Sequence, residues 1–277
     1  MTNKIDNCFA RLRSEKRKGF IPYICAGDPS MKYTVDLALA LEKAGADILE
    51  LGLPFSDPLA DGIVNQLAAQ RALSAGATTR GVLECARQIR AQSAIPIVLY
   101  TYLNPILQFG LEKFHREAED AGVDGLLILD LPPEEDATSH ELDSLTPSSL
   151  RHGGEDHFHT DLFHIRLVAP TTAPERIKMI AQKAKGFLYY VSREGVTGAQ
   201  KSIASSLAGQ LEQLRKFSKL PIAVGFGIST PAQAREVAQY ADAVVVGSAI
   251  VDLIAKHGNV SVEKVAAFAR EIAQALR

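Results

Sequence analysis

The chain has 277 residues, 47% of them apolar, with 30 Lys and Arg against 32 Asp and Glu, and its formal charge of −2 excludes the global basic field that nucleic acid or an anionic membrane would call for. The three cysteines, Cys8, Cys25 and Cys85, have no CxxC spacing, which reads as reduced thiols rather than a disulfide frame. The opening MTNKIDNCFARLRSEKRKG lacks the apolar run of a signal peptide, and no stretch reaches the roughly 18 apolar residues of a membrane span, so a cytoplasmic protein is expected.

Short apolar runs alternate with amphipathic stretches. Strands are predicted at 20–25, 48–51, 97–100, 126–129, 165–169, 187–191, 222–225 and 243–246. Helices are predicted at 34–44, 64–75, 111–121, 133–142, 174–183, 205–217, 231–238 and 260–276, with extra ones at 5–15 and 79–92. Eight strands apolar on both faces and separated by helices belong to a parallel sheet, which closes most simply into a single-domain α/β barrel, (β/α)8, of the TIM type. A doubly wound open sheet is the runner-up, but CAGDPSMK after the first strand offers no GxGxxG turn for a dinucleotide. The turns KAGAD (43–47), DAGVD (120–124) and YAD (240–242) stop a helix and start a strand, while longer polar loops follow strands two and six. In such barrels the loops after the strands hold the chemistry. The stretch 144–163, with a Pro, a Gly pair and three histidines, breaks the rhythm and reads as a surface insertion.

The second strand runs into LELGLPFSDPLADG (49–62). Side chains alternate on a strand, so Glu50 shares a face with Ile48, and burial among apolar neighbours would raise its pKa and make it a general acid. Asp61 closes the same loop, stiffened by Pro54 and Pro58. Two carboxylates in different environments suggest split acid and base roles, against the blander readings of a rim ion pair for Glu50 and a helix cap for Asp61. Gly225, Phe226 and Gly227 after strand seven, and Gly247 and Ser248 after strand eight, stand where barrels often cradle phosphate on backbone N–H groups. The loop 193–202, with Gly195 and Gly198, has the makeup of a lid. His152, His157, His159 and His164 with Asp156 and Asp161 match no established zinc spacing, so no metal is expected.

PFSDPLADG, FLYYVSREGVTG, VGFGIS and VVVGSAIV, with Glu50 and Asp61 placed among them, resemble the tryptophan synthase α subunit family over nearly the whole chain. The resemblance departs at 144–163, at Ile63 where the family usually has Pro, and at Tyr100 where an aliphatic residue is common. It implies lysis of indole-3-glycerol phosphate to indole and glyceraldehyde 3-phosphate, in an α2β2 heterotetramer with a β subunit that holds pyridoxal phosphate, this chain needing no cofactor. By resemblance Glu50 moves protons, Asp61 meets the indole N–H, and Tyr189 stands near Glu50, although strand parity alone does not separate Tyr189 from Tyr190. Tyr23, Tyr100 and Leu129 are implied pocket walls, Gly198 joins the phosphate site, Arg193 and Thr197 lock the lid, and Pro54, Asp57 and Pro58 face the partner. Two other readings stay open: a noncatalytic allosteric partner of a β subunit, and another phosphosugar-processing barrel enzyme.

Overall fold

The computed structural model describes residues 3–136, 160–191, 200–225 and 227–277, with the side chains of 200–206 outside the description. In chain order the elements are α1 (Lys4–Ser14), β1 (Gly19–Cys25), α2 (Met31–Ala44), β2 (Leu49–Gly52), α3 (Ile63–Ser74), α4 (Thr79–Arg90) and β3 (Ile97–Thr101). There follow α5 (Leu103–Phe109), α6 (Leu111–Asp120), β4 (Gly125–Ile128), β5 (Phe163–His164), β6 (Arg166–Val168), α7 (Pro174–Lys183) and β7 (Leu188–Val191). The chain ends with α8 (Gln200–Phe217), β8 (Ile222–Gly225), α9 (Pro231–Ala238), β9 (Ala243–Val246), α10 (Ser248–His257) and α11 (Ser261–Ala275).

Every strand pairing is parallel, in the order β5-β4-β3-β2-β1-β9-β8-β7-β6. β5 and β6 are separated only by Ile165, so the predicted fifth strand is present as one bent segment. Its first half pairs with β4 and its second with β7, which brings the sheet round into a barrel. Period-two alternation then sorts the side chains: Ile21, Ile48, Val98, Leu127, Tyr189, Ala223 and Val245 fill the interior, while Phe20, Leu49, Leu99, Leu126, Val224 and Val244 pack under the helices. Helix α1, started by the Asn3 side chain accepting the Ile5 N–H, plugs the bottom of the interior with Ile5, Phe9 and Leu12. Phe9 meets Phe187 there, ring centroids 5.6 Å apart.

The three predicted turns share one device. Asp47, Asp124 and Asp242 each accept the backbone N–H that opens the preceding strand of their pair, from Phe20 at 3.1 Å and from Ile97 and Ile222 at 2.9 Å. Each carboxylate is also ion-paired with an arginine, Arg17, Arg90 and Arg215 respectively. A short Ala-containing turn ending on Asp thereby staples two adjacent strands at the end opposite the long loops.

Four expectations need correction. Of the predicted helix 133–142, the described part is a 3-10 turn, Pro133–Glu135, followed by an extended Asp136 whose carboxylate turns to His164 and Arg166; positions from 137 lie outside the described residues. Helix α5 is too short, with Pro105 inside it, to show a helical period. Helix α10, between Gly247 and Gly258, carries its apolar contacts on Ile250, Val251 and Ile254 and was hidden by an apolar run continuous with β9. The helix predicted at 205–217 starts earlier, at Gln200. Of the 144–163 stretch, positions 144–159 lie outside the described residues, and Phe163 belongs to β5. Cys8, Cys25 and Cys85 are all buried free thiols. Among the described residues no helix is long and apolar enough to cross a membrane.

Candidate active site

At the C-terminal ends of β1, β2, β3, β7, β8 and β9 lies a cavity of about 470 Å³, closed on one side by the start of α3. A larger groove, about 970 Å³, lies at the opposite end around Arg11, Arg17 and Asp47, where the cations are already paired with carboxylates. The upper cavity collects the chemistry.

Glu50 enters it from β2. Its neighbours Leu49 and Leu51 point out to the helices, so the alternation read from the sequence drives a carboxylate into the barrel interior. The side chain is 2% exposed and receives no hydrogen bond among the described residues. Burial, with the charge of Asp61 as the lesser cause, pushes its pKa up to about 8. At neutral pH Glu50 therefore carries a proton it can give up.

Asp61 is held quite differently. It does not cap α3, whose N-cap is Gly62 with no side-chain bond. Instead Tyr100 donates its phenol O–H to Oδ1 at 2.7 Å, and Tyr102 donates to Oδ2 at 2.9 Å. The Tyr102 oxygen in turn accepts the Ala60 N–H at 3.0 Å, tying loop two to the strand-three end.

The structure resolves the ambiguity at β7. Tyr189 faces the cavity, while Tyr190 faces outward and donates to Gln210 of α8. Tyr189 lies over β8 so closely that a Cβ on Gly225 would be 2.8 Å from its phenol oxygen, and Gly52 stands in the same relation to Tyr23, at 2.5 Å. Side chains at either glycine would displace a cavity phenol. Tyr23 and Tyr100 meet edge to face at 5.0 Å and wall the cavity. Burial raises the Tyr23, Tyr100 and Tyr189 phenols well above their usual pKa, so all three remain O–H donors. Leu129 is half-buried past the end of β4 and does not line the cavity.

Gly225, Gly227, Gly247 and Ser248 all lie on the cavity wall. Helix α10 begins there with no side chain capping it, so the N–H groups of its first turn and the positive end of its dipole stand at the cavity edge. Phe226, Gly198, Arg193 and Thr197 lie outside the described residues. On loop two, Asp57 is exposed and Pro58 half-buried, but Pro54 is buried and has no surface to offer a partner. Leu59 and Ile63 beside them are 87% and 65% exposed. Among the histidines, His164 bonds Asp136 at 2.6 Å and stacks on His115, while His152, His157 and His159 lie outside the described residues.

The sequence reading singled out Ile63, which lies on the wall, but missed Tyr102 and the contribution of α3 through Val64 and Asn65. For Tyr102 a signal existed: it stands two positions after Tyr100, on the same face of an extended segment.

A family model described as tryptophan synthase alpha chain matches residues 9–277. The tryptophan synthase alpha chain of Opitutus terrae (strain DSM 11246 / JCM 15787 / PB90-1) is 47% identical over 252 residues, 91% of this chain and 90% of the relative. That of Caulobacter sp. (strain K31) is 46% identical over 279 residues, 99% of this chain and 96% of the relative. Tryptophan synthase subunit alpha from Legionella pneumophila str. Paris superimposes with a TM-score of 0.86 at 39% identity, covering 100% of this chain and 99% of that one. A tryptophan synthase chain from M. tuberculosis, in its aminoacrylate-bound form, gives 0.83 at 30% identity over 100% of both chains.

Proposed function

The chain belongs to the tryptophan synthase alpha chain family, the lyase of L-tryptophan biosynthesis that cleaves indole-3-glycerol phosphate to indole and glyceraldehyde 3-phosphate, and from that premise we propose that Glu50, Asp61 and Tyr189 are its catalytic residues. The observation that carries the proposal is the unlike state of the two carboxylates. Cleavage is a retro-aldol step. Indole C3 must gain a proton to give the indolenine, and the side-chain hydroxyl next to the breaking bond must lose one. Neutral Glu50 donates the first proton and, once ionised, accepts the second. Positive charge spreads to the ring nitrogen as C3 is protonated, and ionised Asp61 at the N–H stabilises it. Tyr189, a persistent O–H donor on the same cavity as Glu50, is suited to the substrate hydroxyl.

The phosphate would rest on the uncapped start of α10 with Gly225, Gly227, Gly247 and Ser248, small positions that leave backbone N–H groups accessible. By family resemblance Phe226 and Gly198 belong to this group, and Arg193 and Thr197 to a lid over it. The family has a β-subunit partner, which supplies the pyridoxal phosphate. For this chain we propose an α2β2 heterotetramer in the cytoplasm, with Asp57, Pro58 and the exposed Leu59 facing the β subunit. The acid–base scheme asks for no cofactor in this chain.

The test is release of indole from indole-3-glycerol phosphate by the purified chain, alone and with a β subunit. Turnover by wild type and its collapse in Glu50→Gln support the assignment; a Glu50→Gln variant retaining more than about a tenth of the rate removes Glu50 from proton transfer.

A further inference from the structure

Tyr100 sits on β3 opposite Gly52 of β2 and Leu127 of β4, with its side chain in the barrel interior. From there its phenol reaches Asp61, which belongs to a loop 39 positions earlier in the chain. Tyr102, on the same face of the segment, takes the other carboxylate oxygen. The two phenols differ in what else they hold. Tyr102 also accepts the Ala60 N–H, and its ring packs on Phe55 at 5.3 Å, so it anchors the loop backbone. The Tyr100 hydroxyl has Asp61 as its only hydrogen-bond partner among the described residues. Its ring is steadied by the edge-to-face contact with Tyr23.

We propose that Tyr100 is a positioning residue for the cleavage reaction, its hydroxyl fixing the plane of the Asp61 carboxylate before substrate arrives. The inference rests on the reading that ionised Asp61 meets the ring N–H. Geometry allows both contacts together. Each carboxylate oxygen has two acceptor sites: Tyr100 and the long contact of Asn65 take those of Oδ1, Tyr102 takes one of Oδ2, and the other on Oδ2 remains for the indole N–H. An aliphatic side chain here would wall the cavity equally well but leave the carboxylate held on Oδ2 by Tyr102 and on Oδ1 only by the long 3.4 Å contact of Asn65. Orientation held in advance matters to a group whose task is to face charge that develops only in the transition state.

The titratable groups around Asp61 are Tyr23 and Cys25 of β1, Glu50 of β2, Tyr100 of β3 with Tyr102 beyond it, and Tyr189 of β7. Among the described residues no Lys or Arg forms an ion pair with Asp61.

The test compares steady-state cleavage of indole-3-glycerol phosphate by wild type, Tyr100→Phe, Tyr100→Leu and Asp61→Asn between pH 5.5 and 9. Tyr100→Phe keeps the ring and removes one oxygen. It should lower kcat about tenfold, the scale of one hydrogen bond to a charged group, with KM changed less than about threefold. A wall residue would move KM rather than kcat. Tyr100→Leu should lose at least as much kcat, with KM raised in addition by the lost ring. Unchanged kcat in Tyr100→Phe, alongside an impaired Asp61→Asn, overturns the role of Tyr100 and leaves that of Asp61 standing. Full activity in Asp61→Asn overturns both.

Discussion

Glu50 and Asp61 face one cavity, yet the first is buried without a hydrogen bond among the described residues and the second is gripped by two phenols. The contrast follows from where the chain puts them: mid-wall on a strand for Glu50, at the rim of a loop for Asp61. Desolvation leaves Glu50 protonated, while the phenols hold the Asp61 carboxylate in a fixed orientation, so a proton donor and an oriented carboxylate face the same cavity.

The rate should follow the Glu50 proton. Its pKa is pushed up to about 8, so the donor form predominates below that pH and is lost above it. Single-turnover cleavage of indole-3-glycerol phosphate should decline as pH rises through about 8. Glu50→Gln cannot transfer protons and should fall by about two to four orders of magnitude at every pH. A wild-type profile flat to pH 10 would contradict this assignment of the donor.

Stability should fall in the same direction. The folded chain holds a proton on Glu50 between about 4.5 and 8, where the unfolded chain has released it. The native state therefore binds more protons across that window, and folding stability attributable to this group falls as pH rises through it. Glu50→Gln removes the dependence. The variant should melt above wild type at pH 8.5, by on the order of a few kcal/mol in unfolding free energy, and converge with it near pH 4.5. Equal melting curves across the range would mean that Glu50 costs the fold nothing.

The barrel was legible in the sequence because its strands are apolar on both faces and its turns end on Asp, a pattern that survives without side-chain detail. Glu50 was legible for the same reason, as a charge placed out of phase with Leu49 and Leu51. Tyr189 could not be told from Tyr190, since both suit a strand, and only the packing of Gln210 against one and Gly225 beneath the other separates them. The bend at Ile165 depends on closing the barrel, a long-range condition that local propensity does not carry. The two phenols on Asp61 belong to the same class: their partner lies about 40 positions away, brought near by the pairing of β2 with β3.

Asp28 and Arg71 offer a test of what holds α3, and with it the cavity wall, in place. Arg71 on α3 grips Asp28 with Nε at 2.9 Å and Nη2 at 2.7 Å, and Asp28 is 1% exposed in the loop after β1. Removing the cation strands a buried carboxylate, whereas removing both charges does not. Arg71→Met should lower unfolding free energy by about 2–4 kcal/mol, below the upper end of the range for fully buried pairs because Arg71 is partly exposed. Asp28→Asn combined with Arg71→Met should recover part of that loss in urea denaturation. Strictly additive losses would show that the two side chains are energetically independent.

The final prediction concerns the shared loop. Asp61 and the exposed residues Asp57 and Leu59 belong to one short segment, and that segment is tied to the barrel wall through Tyr102. In the proposed assembly, a ligand that settles the Asp61 carboxylate bears on the surface offered to a β subunit. Linkage makes the effect reciprocal: the factor by which indole-3-propanol phosphate tightens subunit association must equal the factor by which the β subunit tightens the analogue. Coupling of about 1–3 kcal/mol, roughly 5–150-fold, is the usual range and is measurable by calorimetry. Leu59→Asp places a charge on the exposed apolar surface and should weaken association while leaving the isolated chain's affinity for the analogue unchanged. Equal analogue affinities with and without the β subunit would sever partner binding from the site, because the loop would then transmit nothing between Leu59 and Asp61.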